Sequence, residues 1–339
     1  MRTKTETNIQ LGHGGGGLLT REFLDRHVVP RFATGPLEGL PDGATLPALE
    51  NGIIFSTDSF VVHPMFFPGG NIGDLAVHGT VNDVAVSGGI PRWLSLGMIL
   101  EEGIEQDVVG RVLDSVAEAA ADCGVQVVTG DTKVVPRGLC DGMYLNTAGI
   151  GERMPEFDLG AARLQTGDVI LASGTLGDHG MAVMAAREGI EMAGGPVSDT
   201  GPVHRLVQAA RPFATEVRFM RDPTRGGVAA VLNELVEDAP LGIILQEDDL
   251  PWSTGARAIA ETLGFDLLHS ACEGRMLMAC APDVAGLILD AWRAIPEGNG
   301  ATAVGAVTND DAGRVLLETC MGGRRLVDVP QGELLPRIC

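Results

Sequence analysis

Lysine is almost absent from this chain of 339 residues: of its 24 basic residues only Lys4 and Lys133 are lysines, so Lys133 is the only one beyond the N-terminal segment. Positive charge as a whole is short. Set against 45 acidic residues it leaves a formal net charge of -21, which repels nucleic acid and anionic lipid and excludes both as bulk partners; any anion must be bound locally. No run of about 18 apolar residues occurs, which excludes a membrane-spanning helix, and residues 1–10 carry no apolar signal core, so a cytoplasmic protein is expected. The 6 cysteines form no C-x-x-C pair, which argues against a zinc site or a disulfide framework. Cys339 sits at the end of the sequence rather than four residues before it, so it is not a prenylation box. There is no G-x-x-x-x-G-K-[ST] loop, and an ATP site would need another architecture.

Glycine is what the chain has in excess: 47 residues, about twice the usual share. The length predicts about two domains. Residues 1–33 form a Gly-rich N-terminal segment in which Gly12 to Gly17 precede an amphipathic stretch, a pattern that suits either an anion-binding loop or a loose tail. Residues 34–155 read as one compact unit, with Val/Ile-rich strands at 53–62, 93–100, 125–135 and 143–150 and helices at 72–86 and 106–123, the second capped by Gly124. Residues 156–330 alternate strands and helices irregularly, which favours α+β over a doubly wound sheet, and 331–339 form a tail.

Four groups of residues suggest chemistry. Asp58 and Asp131 follow buried strands and Asp83 lies in a helical pattern; each alone suits a turn or cap, but together with a nearby anion they suit magnesium, which takes a few carboxylates plus phosphate oxygens. Arg221-Asp222-Pro223-Thr224-Arg225-Gly226-Gly227 opens a helix and either caps it or presents backbone N–H groups and arginines to a phosphate. Lys133 beside Asp131 is a surface lysine or a compact charge that can titrate where arginine cannot. The cysteine of Pro336-Arg337-Ile338-Cys339 sits on a tail that can carry a thiol into a site.

These segments, with Phe67-Pro68-Gly69-Gly70-Asn71-Ile72-Gly73, Gly79-Thr80-Val81-Asn82-Asp83 and Thr129-Gly130-Asp131-Thr132-Lys133, resemble the HypE family. Its members are carbamoyl dehydratases of [NiFe]-hydrogenase maturation, within the superfamily of aminoimidazole ribonucleotide and selenophosphate synthetases. The Asp-Pro-Thr-Arg-Gly-Gly motif points to the superfamily and the terminal Pro-Arg-Ile-Cys to the family. The resemblance implies a two-domain α+β PurM-like fold, with N-terminal domains pairing into a β-barrel in a homodimer. It also implies that the carbamoyltransferase HypF loads Cys339, and that ATP with Mg2+ activates the S-carboxamide for loss of water to an S-cyanide. The cyanide then passes to iron on a HypC-HypD complex. By position, Asp58, Asp83 and Asp222 would hold magnesium with Asp131 close by; His13, Gly14, Gly15 and Gly16 would close over the nucleotide. Lys133 would contact the transferring phosphoryl or amide oxygen and Glu273 would take the nitrogen proton. Asn71 stands where the family pattern has an acidic residue, and Ala271-Cys272 precede Glu273 where relatives often have Asn. Two rivals remain: a synthetase acting on a free small molecule, and a non-catalytic carrier of a group on Cys339.

Overall fold

The computed structural model describes residues 8–32, 35–329 and 338–339. The expected boundaries at 33/34 and 330/331, and Pro336 and Arg337 of the terminal motif, lie outside the described residues.

The N-terminal segment forms a 3-10 turn at Leu11–Gly14, then α1 (Leu18–Phe23), a π-helical turn at Leu24–Val28 and α2 (Val29–Phe32). Next come β1 (Ile53–Phe60), the short hairpin β2 (Phe66–Phe67) and β3 (Gly70–Asn71), α3 (Ile72–Val86), β4 (Gly89–Glu101), α4 (Gln106–Cys123), β5 (Gln126–Val135) and β6 (Met143–Arg153). The long strands form a 4-stranded sheet in the order β1-β6-β4-β5, antiparallel except for the β4–β5 pair. β1 and β5 are its edges.

α4 is amphipathic and turns one face to the core, and Gly124 ends it in the left-handed region at φ 67, where a Cβ would be strained. α3 is different: nearly all of its side chains are buried, because it lies between this sheet and the second domain. Asn71 caps it, its Oδ1 accepting from Gly73 N at 2.8 Å and its own N–H donating to Asp74 Oδ2 at 2.8 Å. An aspartate would cap equally well; what calls for an amide is Nδ2, which donates to Ser115 Oγ at 2.7 Å.

The second domain comprises β7 (Val169–Ala172), α5 (Asp178–Arg187), α6 (His204–Ala210), β8 (Val217–Arg221), α7 (Gly227–Val236), β9 (Gly242–Gln246), α8 (Thr254–Leu263), β10 (Leu277–Cys280), α9 (Pro282–Arg293), β11 (Thr302–Thr308), β12 (Val315–Glu318) and β13 (Arg324–Leu326). Its 7-stranded sheet, ordered β13-β12-β9-β11-β7-β10-β8, has one parallel pair, β12 with β9, so the fold is α+β and not doubly wound. One buried apolar cluster spans both domains: Ile72, Leu75 and Val112 of the first pack with Val183 and Ala271 of the second, and Ile338 joins them. Among the described residues no helix is long and apolar enough to cross a membrane.

Candidate active site

The seam between the domains gathers acidic groups that are far apart in sequence. β1 turns Ser56 and Asp58 toward α3, where the Ser56 hydroxyl donates to Asp83 Oδ2 at 2.6 Å. A Cβ on Gly79 would lie 2.9 Å from the Phe60 ring and 3.6 Å from Asp58 Oδ2, so the missing side chain lets β1 settle onto the helix. From the second domain, β8 ends at Arg221 and the buried Asp222 follows it into the seam. Two residues in the left-handed region, Gly226 and Gly227, then turn the chain into α7. At Gly227 a Cβ would meet the carbonyl oxygens of Leu268 and Ser270 at 2.6 Å, so the loop closes only with glycine. Glu273, 1% exposed, completes the group.

The electrostatics follow from crowding like charges where water is scarce. Burial first, and Asp83 second, push Asp58 up to about 6. Burial raises Asp83 as well. Asp222 is pushed up to about 7 by burial and by Asp83 and Asp58. Glu273 is raised well above the ordinary carboxylate range by burial, with Asp222 the largest of the neighbouring charges. Its Oε1 is buried without a hydrogen-bond partner. Arg225 and Arg221 offset only part of this charge, and the cluster has oxygen donors to spare. Among the described residues no three His, Cys, Asp or Glu side chains already converge as a metal cage. Magnesium does not need one: one or two carboxylates plus phosphate oxygens and water suffice, so the donor set fits that ion when nucleotide is present.

Cys339 lies in this seam. Burial pushes its thiol up to about 12, with Glu273 and Asp58 adding to the rise and Arg225 opposing it. Its main-chain oxygen accepts from Val61 N at 3.1 Å, just beyond β1. The thiolate is the nucleophilic form, so a thiol held here is inert toward acylation.

Glu273 is fixed through its backbone rather than its side chain. Asn82 of α3, fully buried, donates to the carbonyls of Glu273 at 3.1 Å and Gly201 at 3.0 Å and accepts from Val203 N at 2.8 Å. Asp199 Oδ1 accepts from Glu273 N at 3.0 Å. At Gly274 a Cβ would stand 1.8 Å from the Asp199 carbonyl oxygen, which explains the glycine after the glutamate.

Asp58, Asp83, Asp222, Glu273 and Cys339 are therefore brought together, with Arg225 as the cation beside Asp58 and the sulfur. Asp131 and Lys133 are not among them within one chain. They sit on β5, paired with each other at 3.1 Å and 66% and 63% exposed, three strand spacings or about 14 Å from β1 across the sheet. His13 is buried beneath its turn, accepting from Gln10 N at 2.9 Å and edge-on to Phe23, while Gly15 and Gly16 are exposed. Gly14 packs so closely on β5 that a Cβ would lie 2.5 Å from Val134 N. A cavity of about 390 Å3 lies beside this segment, lined by Leu24, Phe32, Leu96, Met98, Val127 and Asp131. Asn82 and Asp199 were not singled out as functional from sequence; an amide beside Asp83 in a helix and a Ser-Asp-Thr-Gly turn give no periodic signal.

Residues 41–152 and 165–318 match the models for the N-terminal and C-terminal domains of AIR synthase related proteins. The chain is 42% identical over 332 residues to the carbamoyl dehydratase HypE of Bradyrhizobium diazoefficiens, covering 98% of this chain and 96% of the relative. It is 43% identical over 337 residues to that of Escherichia coli K12, covering 98% and 99%. A HypE structure in complex with ATP superposes with a TM-score of 0.92 at 40% identity over 97% of this chain and 99% of that one. HypE in a HypE-HypF complex does so at 0.79 and 38% identity over 93% and 100%. A thiamine monophosphate kinase from Aquifex aeolicus, 19% identical with a TM-score of 0.60 over 94% and 99%, shares the fold. On this identity, coverage and shared architecture, the chain belongs to the HypE family of carbamoyl dehydratases.

Proposed function

We propose that this protein catalyses the ATP-dependent dehydration of an S-carboxamide carried on Cys339 to an S-cyanide, as a soluble maturation enzyme of the cytoplasm. The observation that carries the reading is the place of the Cys339 sulfur, in a buried seam beside Glu273, Asp58 and Arg225. An amide oxygen is a poor leaving group, so it must first become a phosphate. The carboxamide oxygen attacks the γ-phosphorus, ADP leaves, and an N–H proton is lost; expulsion of phosphate with loss of the second N–H proton then gives the C≡N bond. Glu273 is the acceptor placed for a nitrogen proton, its Oε1 having no other partner. Arg225 offsets phosphoryl charge, and magnesium, when held by Asp58, Asp83 and Asp222 with phosphate oxygens, would supply the remaining neutralisation. The exposed Gly15-Gly16 turn, with buried His13 and half-buried Gly14 supporting it from beneath, and the cavity beside residues 20–32 suit the rest of the nucleotide.

A thiol inert in the seam must leave it to be loaded, which fits a separate carbamoyltransferase of the HypF type, and delivery of cyanide to a HypC-HypD iron complex makes the same demand. The test is intact mass spectrometry of the carbamoylated chain. Loss of one water that requires both ATP and Mg2+, and that vanishes in Cys339→Ala, is the expected result. A persistent adduct would leave only a carrier, and turnover independent of Cys339 would indicate a free small-molecule substrate.

Dimerisation accounts for Lys133 and Asp131. The sheet exposes Ile53 and Phe55, each 64% accessible, on a strand with an unpaired edge, and β5 is the other edge. Two such sheets closing into a barrel about a two-fold axis set β5 of one subunit beside β1 of the other, bringing a second subunit's Lys133 and Asp131 to the acidic seam. Co-refolding inactive Lys133→Ala with inactive Asp222→Asn chains is then expected to restore about a quarter of wild-type activity, since half the dimers are mixed and each carries one intact site. No recovery would mean that each site is built from one chain.

A further inference from the structure

The last residues enter the seam through contacts that the acidic cluster does not supply. α5 begins at Asp178, and its second residue, His179, is fully buried with both ring nitrogens engaged. Nε2 meets the Ile338 carbonyl oxygen at 2.5 Å, and Nδ1 meets Ser198 Oγ at 2.8 Å. A carbonyl only accepts, so Nε2 carries the proton and Nδ1 accepts from the Ser198 hydroxyl. Ser198 Oγ in turn accepts from Thr200 N at 3.1 Å, which leaves its proton free for the histidine. The Phe67 ring stands edge-on to the imidazole at 5.3 Å and fixes its plane. Burial holds His179 down at about 4, so the neutral ring and this tautomer persist at neutral pH. The Ile338 side chain, 4% exposed, packs with Val183 and Ala271.

We propose that His179 is a positioning residue that seats Cys339 against Glu273 through the Ile338 carbonyl. This inference rests on the reading of Cys339 as the carrier of the reacting group. Its distinctive feature is that the hold of His179 on the Ile338 carbonyl, like that of Val61 N–H on the Cys339 oxygen, grips a main-chain atom. Neither bond involves the sulfur, so both persist whether it carries a thiol, a carboxamide or a cyanide. Ser198 acts one step further out, by fixing the tautomer.

The test is the rate at which iodoacetamide alkylates Cys339 in the full chain, followed by peptide mass spectrometry, with exposed Cys320 and buried Cys272 as internal references. His179→Leu is expected to raise the Cys339 rate about tenfold, the worth of one buried hydrogen bond, while Cys272 stays protected. His179→Gln, whose amide N–H reaches the Nε2 position, is expected to stay within about twofold of wild type. An unchanged Cys339 rate in His179→Leu, or a Gln variant as reactive as the Leu variant, overturns the proposal. Should His179→Leu also expose Cys272, the milder Ser198→Ala decides: release of about threefold supports the seat and no release overturns it. In carbamoylated protein, His179→Leu should slow ATP-dependent water loss at saturating ATP without changing the KM for ATP. Alkylation needs neither ATP nor a carbamoyl group. A chain with this alkylation pattern that never loses water would thus overturn the proposed reaction and leave the seat standing.

Discussion

Replacing Asp222 with Asn is expected to lower ATP-dependent water loss at least about a thousandfold and, at pH 8, to raise the melting temperature of the nucleotide-free protein. Both effects have one cause. Asp222 is buried beside Asp83 and Asp58, and those surroundings push it up to about 7. Its folded value therefore lies above the unfolded value near 3.9, so its favourable contribution is full below about pH 4 and is lost as pH rises through 7. Above that, the ionised carboxylate opposes folding by about 1.4 kcal/mol for each pKa unit of displacement. The amide of Asn carries no charge and removes that cost, but it also removes a ligand that magnesium and phosphate need. Thermal melts across pH 5 to 8 check the first effect, with the variant's advantage shrinking toward acid; single-turnover mass spectrometry checks the second. A variant within tenfold of wild-type activity, or less stable than wild type at pH 8, would refute this assignment.

Glu273→Gln is expected to cost about a thousandfold in the rate of water loss while leaving the KM for ATP within about threefold. Gln has nearly the same shape, and the Asn82 and Asp199 bonds that hold this residue run to its backbone, so the variant keeps its position. What it loses is an oxygen able to take a proton. Because burial and neighbouring acids raise Glu273, the wild-type rate should climb with pH as the carboxyl ionises, and that limb should be missing in the variant. A KM effect with an unchanged limiting rate would instead make Glu273 a nucleotide contact.

Much of the fold was legible because period and punctuation agreed. The helix at 72–86, the helix at 106–123 with its Gly124 stop and the strands of the first domain stand where apolar spacing and glycine put them, within a few residues. The second domain was legible only as an irregular alternation; β8, for one, is short and carries two arginines, so no apolar run marks it. Asn71 illustrates a different limit. Its local sequence supports both a missing acidic ligand and a helix cap, and only the bonds to Gly73 and Asp74 decide for the cap. Lys133 stood out by rarity, yet its rarity says nothing of which acidic groups it faces. That depends on the strand order, which puts β5 at the sheet edge opposite β1.

The scarcity of lysine and of positive charge, the absence of a membrane span, the glycine-rich turns and the aspartate-bearing motifs were determined by sequence alone, because they depend on composition and on contacts between near neighbours. Tertiary structure alone decided which acids meet. Asp58, Asp83, Asp222 and Glu273 come from four distant segments, and their raised pKa values exist only once two domains exclude water from the seam between them. The same holds for His179: nothing near it in the chain announces a partner, and its role appears only where folding sets it against a residue 159 positions away.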